Sequence, residues 1–211
     1  MNLDTNTVKI VGEIISKPVF CHTTHDEDFF SFNVKTPRKS GTDDIVPVLI
    51  SEKIMKNIEV GKIIKINGQI RTYNQQDVNN SNSKKLLIYA FVLSYELLSE
   101  AEEENNVVTL KGFICKAPIY RTTPFGREIT DLLLAVNRSY YKSDYIPCIS
   151  WGRNAVFAKD FSVGQQVEIT GRLQSRDYNK KLPDGSIVVK TAYEVSIANI
   201  KTIEQEQKES N

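Results

Sequence analysis

Aromatic and cationic side chains recur at period-two spacing in the second half of the sequence. Over residues 145–151, strand alternation puts Tyr145, Ile149 and Trp151 on one face, with Tyr145 and Trp151 about 20 Å apart at ~3.3 Å per residue. Tyr178 shares its parity with Arg172 and Arg176, opposite to apolar positions, so we expect it to point away from the core. The flat rings can stack on planar groups, and the neighbouring cations can neutralise a polyanion. Core packing is the alternative for Trp151, the single tryptophan.

Further cations flank these strands. Arg121, Arg127 and Arg153 are candidate phosphate contacts, and solvent exposure alone is the alternative for each of them. Lys180 and Lys181 belong to a predicted hairpin that follows Tyr178. In the first half of the chain, Arg71 and Tyr73 share an outward face and form a smaller platform with fewer rings and cations. Weak binding and a purely structural role are both open for this platform.

Residue types that could support other chemistry lack the spacing for it. Cys21, His22, His25 and Asp28 are metal-ligand types, but no second Cys/His pair completes a four-ligand zinc site. No nucleophile elbow, phosphate-binding glycine loop or Ser/Cys–His constellation is visible. We therefore predict no catalytic residues, no metal and no cofactor, and a protein that is not an enzyme.

An internal repeat explains how these residues are positioned. Residues 8–20 align without a gap on residues 108–120, 45–51 on 145–151, and 61–70 on 164–173 after a shift of three. Both copies show half-buried strand alternation, with glycines where a small barrel bends. A short helix is predicted between the third and fourth strands, over residues 52–58 in one copy and 153–160 in the other.

The fold prediction is therefore all-β: two tandem OB-folds, each a five-stranded Greek-key barrel with a short helix between strands 3 and 4. The domains are residues 1–98, an acidic linker 99–106, residues 107–203 and a short acidic tail 204–211. Residues 107–203 carry 14 basic against 8 acidic side chains, whereas residues 1–98 carry 12 against 11. This asymmetry indicates a polyanionic partner for the second copy.

The second copy resembles the bacterial single-stranded DNA-binding protein family. The resemblance rests on the segments 106–112, 118–127, 134–138, 144–152 and 171–178, in order and at family-like spacing. It implies sequence-independent binding of single-stranded DNA in replication, repair or recombination, through bases stacked on aromatic rings and phosphates held by Arg and Lys. It adds Arg138 to the site, together with a stacking aromatic shortly after it. The position of that aromatic in the family corresponds to Tyr140, and Tyr141 is the alternative.

The resemblance also implies assembly. Four OB-folds are usual in the family, so a chain with two should form a homodimer, with a monomer as the alternative. Replication or repair proteins are possible partners, although the sequence ends without the family's acidic-hydrophobic tip. Three cysteines without CxxC spacing, no signal segment and no membrane-spanning stretch predict a cytoplasmic, nucleoid-associated protein. The competing function is an OB-fold scaffold of a replication-restart or mobile-element machine.

Overall fold

The computed structural model describes residues 5–77, 80–100, 102, 106–139, 142–182 and 185–203, most of them in β-strands. They form two compact units. One unit is Thr7–Val107 together with Leu173–Glu194, a segment of the second repeat that we call the hairpin arm. The other unit is Val108–Arg172 together with the described residues before Thr7 and from Val195 onward. No helix in these ranges is long and apolar enough to cross a membrane.

The first repeat is a barrel of antiparallel and parallel strand pairs. Its strands are β1 (Asn6–Ile14), β2 (Val19–Thr24), β3 (Glu27–Pro37), β4 (Asp43–Ser51), β5 (Ile63–Asp77) and β6 (Asn80–Leu98). They hydrogen-bond in the order β2-β3-β4-β6-β5-β1, and a pairing of β1 with β3 closes the barrel. Alternate residues fill its core, as the fully buried Ile64, Ile66 and Ile70 of β5 show.

The second repeat has the same layout. Its elements are β7 (Asn106–Ile114), β8 (Ile119–Thr122), β9 (Glu128–Arg138), β10 (Lys142–Trp151), α1 (Arg153–Ala158), β11 (Gln166–Lys181) and β12 (Ile187–Thr202). The order is β7-β11-β12-β10-β9-β8, and β7 also pairs with β9. The prediction of two tandem OB-folds is confirmed, with two differences in detail.

The first difference is the strand count, which is six in each repeat instead of five. Both β1 and β2 pair with β3, through Glu13 with Lys35 and through Val19 with Ser31. They are two parts of one OB strand, interrupted just before Val19 by Pro18, which has no backbone N–H to donate to the ladder. Pro118 interrupts the equivalent strand of the second repeat.

The second difference concerns the predicted helices. The second repeat has α1 where the sequence predicts it, with Ala155 and Ala158 fully buried on one side. The prediction for residues 52–58 is wrong: they form only turns. The first repeat is three residues shorter here, which removes almost one helical turn, and Asn57 adopts a left-handed backbone with φ 55° that ends any helix.

Close backbone approach explains the glycine at the bend of each long strand. A Cβ on Gly171 would lie 2.1 Å from the carbonyl oxygen of Ser196 on β12. At Gly68 the equivalent distance, to the carbonyl oxygen of Phe91 on β6, is 2.0 Å. Only glycine permits these crossings. The predicted domain boundaries stay a prediction; the tail 204–211 and residues 101 and 103–105 of the linker lie outside the described residues.

Candidate nucleic-acid interface

Trp151 ends β10 with its indole partly open to solvent. It is 36% exposed, whereas Ile146, Cys148 and Ser150 of the same strand are buried. The indole borders a cleft of about 600 Å³ that Thr122, Gly126, Arg127, Glu128 and Gly152 also line. A tryptophan of the core would have no such opening, so the core alternative for Trp151 does not describe this fold.

A tight turn holds Arg127 in the lining of this cleft. The N–H of Thr123 donates to the carbonyl of Arg127 at 2.8 Å, and the N–H of Arg127 donates to the Thr123 hydroxyl at 3.0 Å. Gly126 closes the turn with φ 74°, a left-handed backbone that favours glycine. The turn therefore presents the exposed Arg127 from a rigid backbone.

The same turn carries an aromatic ring that the sequence analysis missed. Phe125 is 92% exposed, the most exposed of the large apolar side chains in the described chain. Pro124 before it and Gly126 after it fix the turn from both sides. The Pro-Phe-Gly sequence itself could have identified Phe125, because an apolar residue at the centre of such a turn points into solvent.

Tyr145 lies on β10 with 46% of its surface exposed, while its neighbours Asp144 and Ile146 are fully buried. Tyr145 and Trp151 are thus exposed near the two ends of β10, whereas Ile149, which strand alternation places on the same face, is buried. Tyr145 pairs in register with Ala135 and Trp151 with Ile129, so both aromatics project from the β9–β10 ladder. Tyr140 and Tyr141, predicted to follow Arg138 in this site, lie outside the described residues.

The carboxylate in the cleft is engaged by a neighbouring strand. The hydroxyl of Tyr120 donates to Glu128 Oε1 at 2.7 Å, and this bond raises the pKa of Tyr120. The ammonium of Lys159 lies 5.6 Å from the centre of the Tyr120 ring. The Tyr120 hydroxyl therefore occupies one oxygen of the Glu128 carboxylate at the edge of the cleft.

The predicted arginines differ in what they contact. Arg121 forms a two-pronged ion pair with Asp131, at 3.0 and 3.3 Å, on the exposed surface. The guanidinium of Arg138 lies 3.8 Å from the fully buried Asp144 and is itself only 24% exposed. Both ion pairs compete with phosphate contacts. Arg153 is exposed at the start of α1, and Arg172 is half-buried.

The remaining predicted residues belong to the other unit. Arg176 donates to Glu194 at 3.3 Å on the hairpin arm, and Tyr178 on the same arm is 40% exposed. Lys180 and Lys181 are exposed toward its tip. The structure thus groups these four residues with the first repeat rather than with Trp151.

The predicted pair of the first repeat, Arg71 and Tyr73, lies on the outward face of β5. The guanidinium carbon of Arg71 is 5.7 Å from the centre of the Phe91 ring. The Tyr73 ring is 5.7 Å from His22 and 6.1 Å from Tyr89, centre to centre. The platform is therefore richer in rings than the sequence analysis indicated. Nowhere in the described ranges do three metal-ligand side chains converge.

Comparisons with known proteins agree with this fold. The solved single-stranded DNA-binding protein from Thermus aquaticus superposes with a TM-score of 0.73 over 98% of this chain and 96% of that one, at 19% identity. A deletion mutant of that protein gives a TM-score of 0.68 at 20% identity. At these identities the likeness shows the fold, so the chain is a tandem OB-fold protein.

Sequence comparisons assign the second repeat. Residues 105–203 match the model of the single-strand binding protein family. Single-stranded DNA-binding protein 1 of Staphylococcus aureus is 37% identical over 83 residues, 36% of this chain and 50% of that protein. Single-stranded DNA-binding protein 3 of Listeria innocua is 31% identical over 109 residues, 48% and 66% respectively. The chain spans about half the length of most such relatives. The similarity to the single-strand binding protein family therefore lies in the second repeat of this chain.

Proposed function

We propose that this protein binds single-stranded DNA without reading its sequence, in DNA replication, repair or recombination. One observation carries the proposal: the single tryptophan, Trp151, is partly exposed in a cleft that Arg127 also lines, within the repeat that matches the family. A flat ring beside a cation meets the two requirements of a nucleotide in a single strand, a stacking partner for the base and a counter-charge for the phosphate.

The rings differ in how they can serve. Trp151 and Tyr145 project from paired strands, so their positions are set by the sheet before DNA arrives. Phe125 projects into solvent from the turn that also carries the cleft residues Gly126 and Arg127, and it offers a third face. Each base–aromatic stack contributes about 1–3 kcal/mol and tolerates any base, because every base has a π-face. Binding by such stacks is independent of sequence.

The ion pairs of the arginines indicate which of them can contact a phosphate most easily. Arg127 and Arg153 take part in no ion pair within the described part of the chain, so a phosphate can approach them without displacing a carboxylate. Arg121 and Arg138 would first have to leave Asp131 and Asp144. We therefore rank Arg127 and Arg153 first, and Arg121, Arg138 and Arg172 behind them. The proposal assigns binding alone, with no catalytic step.

The test is a titration of labelled oligo-dT, followed by fluorescence anisotropy, with the full chain and single variants. Trp151→Ala and Phe125→Ala should each weaken binding by about 1–3 kcal/mol. Val163→Ala is the matched control, since Val163 is 61% exposed in the same unit but is not part of the cleft, and its affinity should be unchanged. If all three variants bind oligo-dT with the affinity of the unaltered chain, the assignment of the site to this cleft is refuted.

Assembly is a separate part of the proposal. We expect a homodimer that brings together four OB-folds. Light scattering at micromolar concentration measures this directly. A mass near 24.0 kDa, that of one chain, would show a monomer and contradict the dimer.

A second candidate function has one observation in its favour. Val156 and Phe157 of α1 and Val163 after it are 37%, 49% and 61% exposed, a group of apolar side chains that could contact a protein. A scaffold built on this surface would bind oligo-dT weakly and without salt dependence. Phe157→Ala would then abolish binding of the protein partner, whereas Trp151→Ala would leave that binding intact.

A further inference from the structure

The cleft that Trp151 lines also holds a carboxylate, that of Glu128. Glu128 pairs in register with Thr122 on one side, and on the other side its carbonyl accepts a hydrogen bond from the N–H of Gly152 at 2.9 Å. Trp151 pairs with Ile129, so Trp151 and Glu128 lie on neighbouring strands, where β9 begins and β10 ends. Both residues line the cleft of about 600 Å³. The sheet therefore brings a flat ring and a negative charge into one small cavity.

Only one oxygen of this carboxylate is engaged. The hydroxyl of Tyr120 donates to Glu128 Oε1 at 2.7 Å, and Tyr120 in turn shares a hydrogen bond with Thr122. These bonds orient the carboxylate from β8. Glu128 Oε2 has no hydrogen-bond or ion-pair partner among the residues that the structure describes. The second oxygen is therefore open to a ligand in the cleft.

The chemistry of a carboxylate limits what this ligand can be. An ionised carboxylate accepts hydrogen bonds and donates none, and it repels phosphate. Its partner in a single strand must therefore be an N–H group on the edge of a base, which stays free when the face of the base stacks on a ring. Guanine has two adjacent donors, N1–H and the N2 amino group, which match the two oxygens. Thymine has one N–H between two carbonyls, and in cytosine and adenine an acceptor nitrogen adjoins the amino group, so these bases fit a carboxylate less well.

The first repeat has a carboxylate at the equivalent place but no ring beside it. Asp28 and Glu128 each precede the residue that pairs with Ser51 or Trp151, respectively. Ser51 offers a small hydroxyl side chain instead of an indole. Of these two equivalent places, only the one in the second repeat can stack a base and accept hydrogen bonds from its edge.

We propose that the Trp151 cleft prefers guanine, which stacks on the indole and donates N1–H and its N2 amino group to the carboxylate of Glu128. Glu128 is then the residue that determines the preference. The proposal rests on the function proposed above and adds a base preference at one position of the bound strand. The other stacked bases are still held without regard to sequence.

The experiment is a competition with the full chain, followed by fluorescence anisotropy. Labelled oligo-dT is displaced by unlabelled oligonucleotides of the same length, either oligo-dT itself or versions in which isolated thymines at regular intervals are replaced by guanine, adenine or hypoxanthine. Lithium salts keep the guanine version single-stranded. Hypoxanthine has the purine ring and the N1–H of guanine but lacks the N2 amino group. The comparison therefore separates hydrogen bonding from stacking.

The guanine oligonucleotide should bind roughly tenfold more tightly than oligo-dT, equivalent to ~1.4 kcal/mol. The adenine and hypoxanthine versions should lose most of this gain. Glu128→Gln should abolish the preference, because an amide offers one acceptor and one donor group in place of two acceptors. Its affinity for oligo-dT should not fall, since a negative charge has left the cleft. Asp160→Asn, the same change at an exposed carboxylate of the same unit outside the cleft, should keep the preference.

The outcomes are distinct. Tight and equal binding of the guanine and thymine oligonucleotides overturns the guanine preference and leaves the proposed function standing. A gain that adenine and hypoxanthine share fully with guanine comes from purine stacking and also overturns it. A guanine preference that survives Glu128→Gln refutes the role of Glu128. If the unaltered chain binds none of the oligonucleotides, the proposed function is rejected and the preference with it.

Discussion

Asp44 holds the hairpin arm, and replacing it with alanine should cost about 3–5 kcal/mol of stability in its unit. Its carboxylate is 1% exposed and accepts hydrogen bonds from Arg38 at 2.5 and 3.0 Å and from the N–H of Ser175 at 3.0 Å. Removing it leaves a guanidinium and an amide without that acceptor, in a place where water has little access. Breaking one partner of a buried ion pair typically costs this much.

The loss should be local before it is global. Ile45 N–H donates to the hydroxyl of Ser175 at 2.9 Å, next to Asp44. Without Asp44, the amides of Ser175 and Ile45 should exchange hydrogen with solvent much faster, because the arm separates from β4. Urea unfolding followed by circular dichroism gives the stability, and hydrogen exchange gives its location.

Asp28→Ala is the matched control. Asp28 is also a carboxylate in this unit, but it is only half-buried, and it accepts a bond from the hydroxyl of the exposed Thr23 at 2.6 Å. Its loss should change stability by no more than about 0.5 kcal/mol. If Asp44→Ala costs less than about 1 kcal/mol and leaves the exchange of Ser175 unchanged, this reasoning about the arm is wrong.

Other predictions concern the barrel, an ionisation and a phosphate contact. Gly171→Ala should cost about 1–3 kcal/mol or more in urea unfolding, because its Cβ would meet the Ser196 carbonyl at 2.1 Å; unchanged stability would exclude that close approach. Burial, with Cys21 as a smaller cause, raises the pKa of Tyr89 to about 12. Its contribution to stability is therefore complete below pH ~10 and lost as the pH rises toward 12, and absorbance titration of Tyr89→Phe should lack the latest tyrosine ionisation. Arg127→Ala should lower the salt slope of oligo-dT binding by about 0.7, and an unaltered slope would remove Arg127 from the phosphate contacts.

The fold could be predicted from the sequence because the two repeats show the same order of strands, so each repeat supports the interpretation of the other. Strand alternation predicted the exposure of Tyr178, since period two decides which face a side chain takes. For Tyr145 and Trp151 the family resemblance favoured the outward face, and alternation alone was insufficient because it puts the buried Ile149 on that same face. It did not predict the missing helix at 52–58. A three-residue difference in loop length and the left-handed backbone of Asn57 act locally, without a periodic pattern.

Alternation also does not say which strands become neighbours. The rings of His22 and Tyr73 are 51 residues apart in sequence, and only the folded barrel brings their centres within 5.7 Å of each other. The hairpin arm is a similar case, because its anchoring by Arg38 and Asp44 depends on contacts between the two repeats of the sequence. For this reason alternation could not show that Tyr178, Lys180 and Lys181, which belong to the second repeat in sequence, group with the unit of the first repeat.

The most direct test of the account is the emission of Trp151 during a titration of the unaltered protein with oligo-dT. An indole that is partly exposed in an open cleft should be strongly quenched when a base stacks on it, and raising the salt concentration should reverse the quenching. We expect saturable, salt-sensitive quenching. Emission that stays constant while the protein binds oligo-dT tightly would contradict the placement of the site at Trp151, and absence of binding would contradict the function itself.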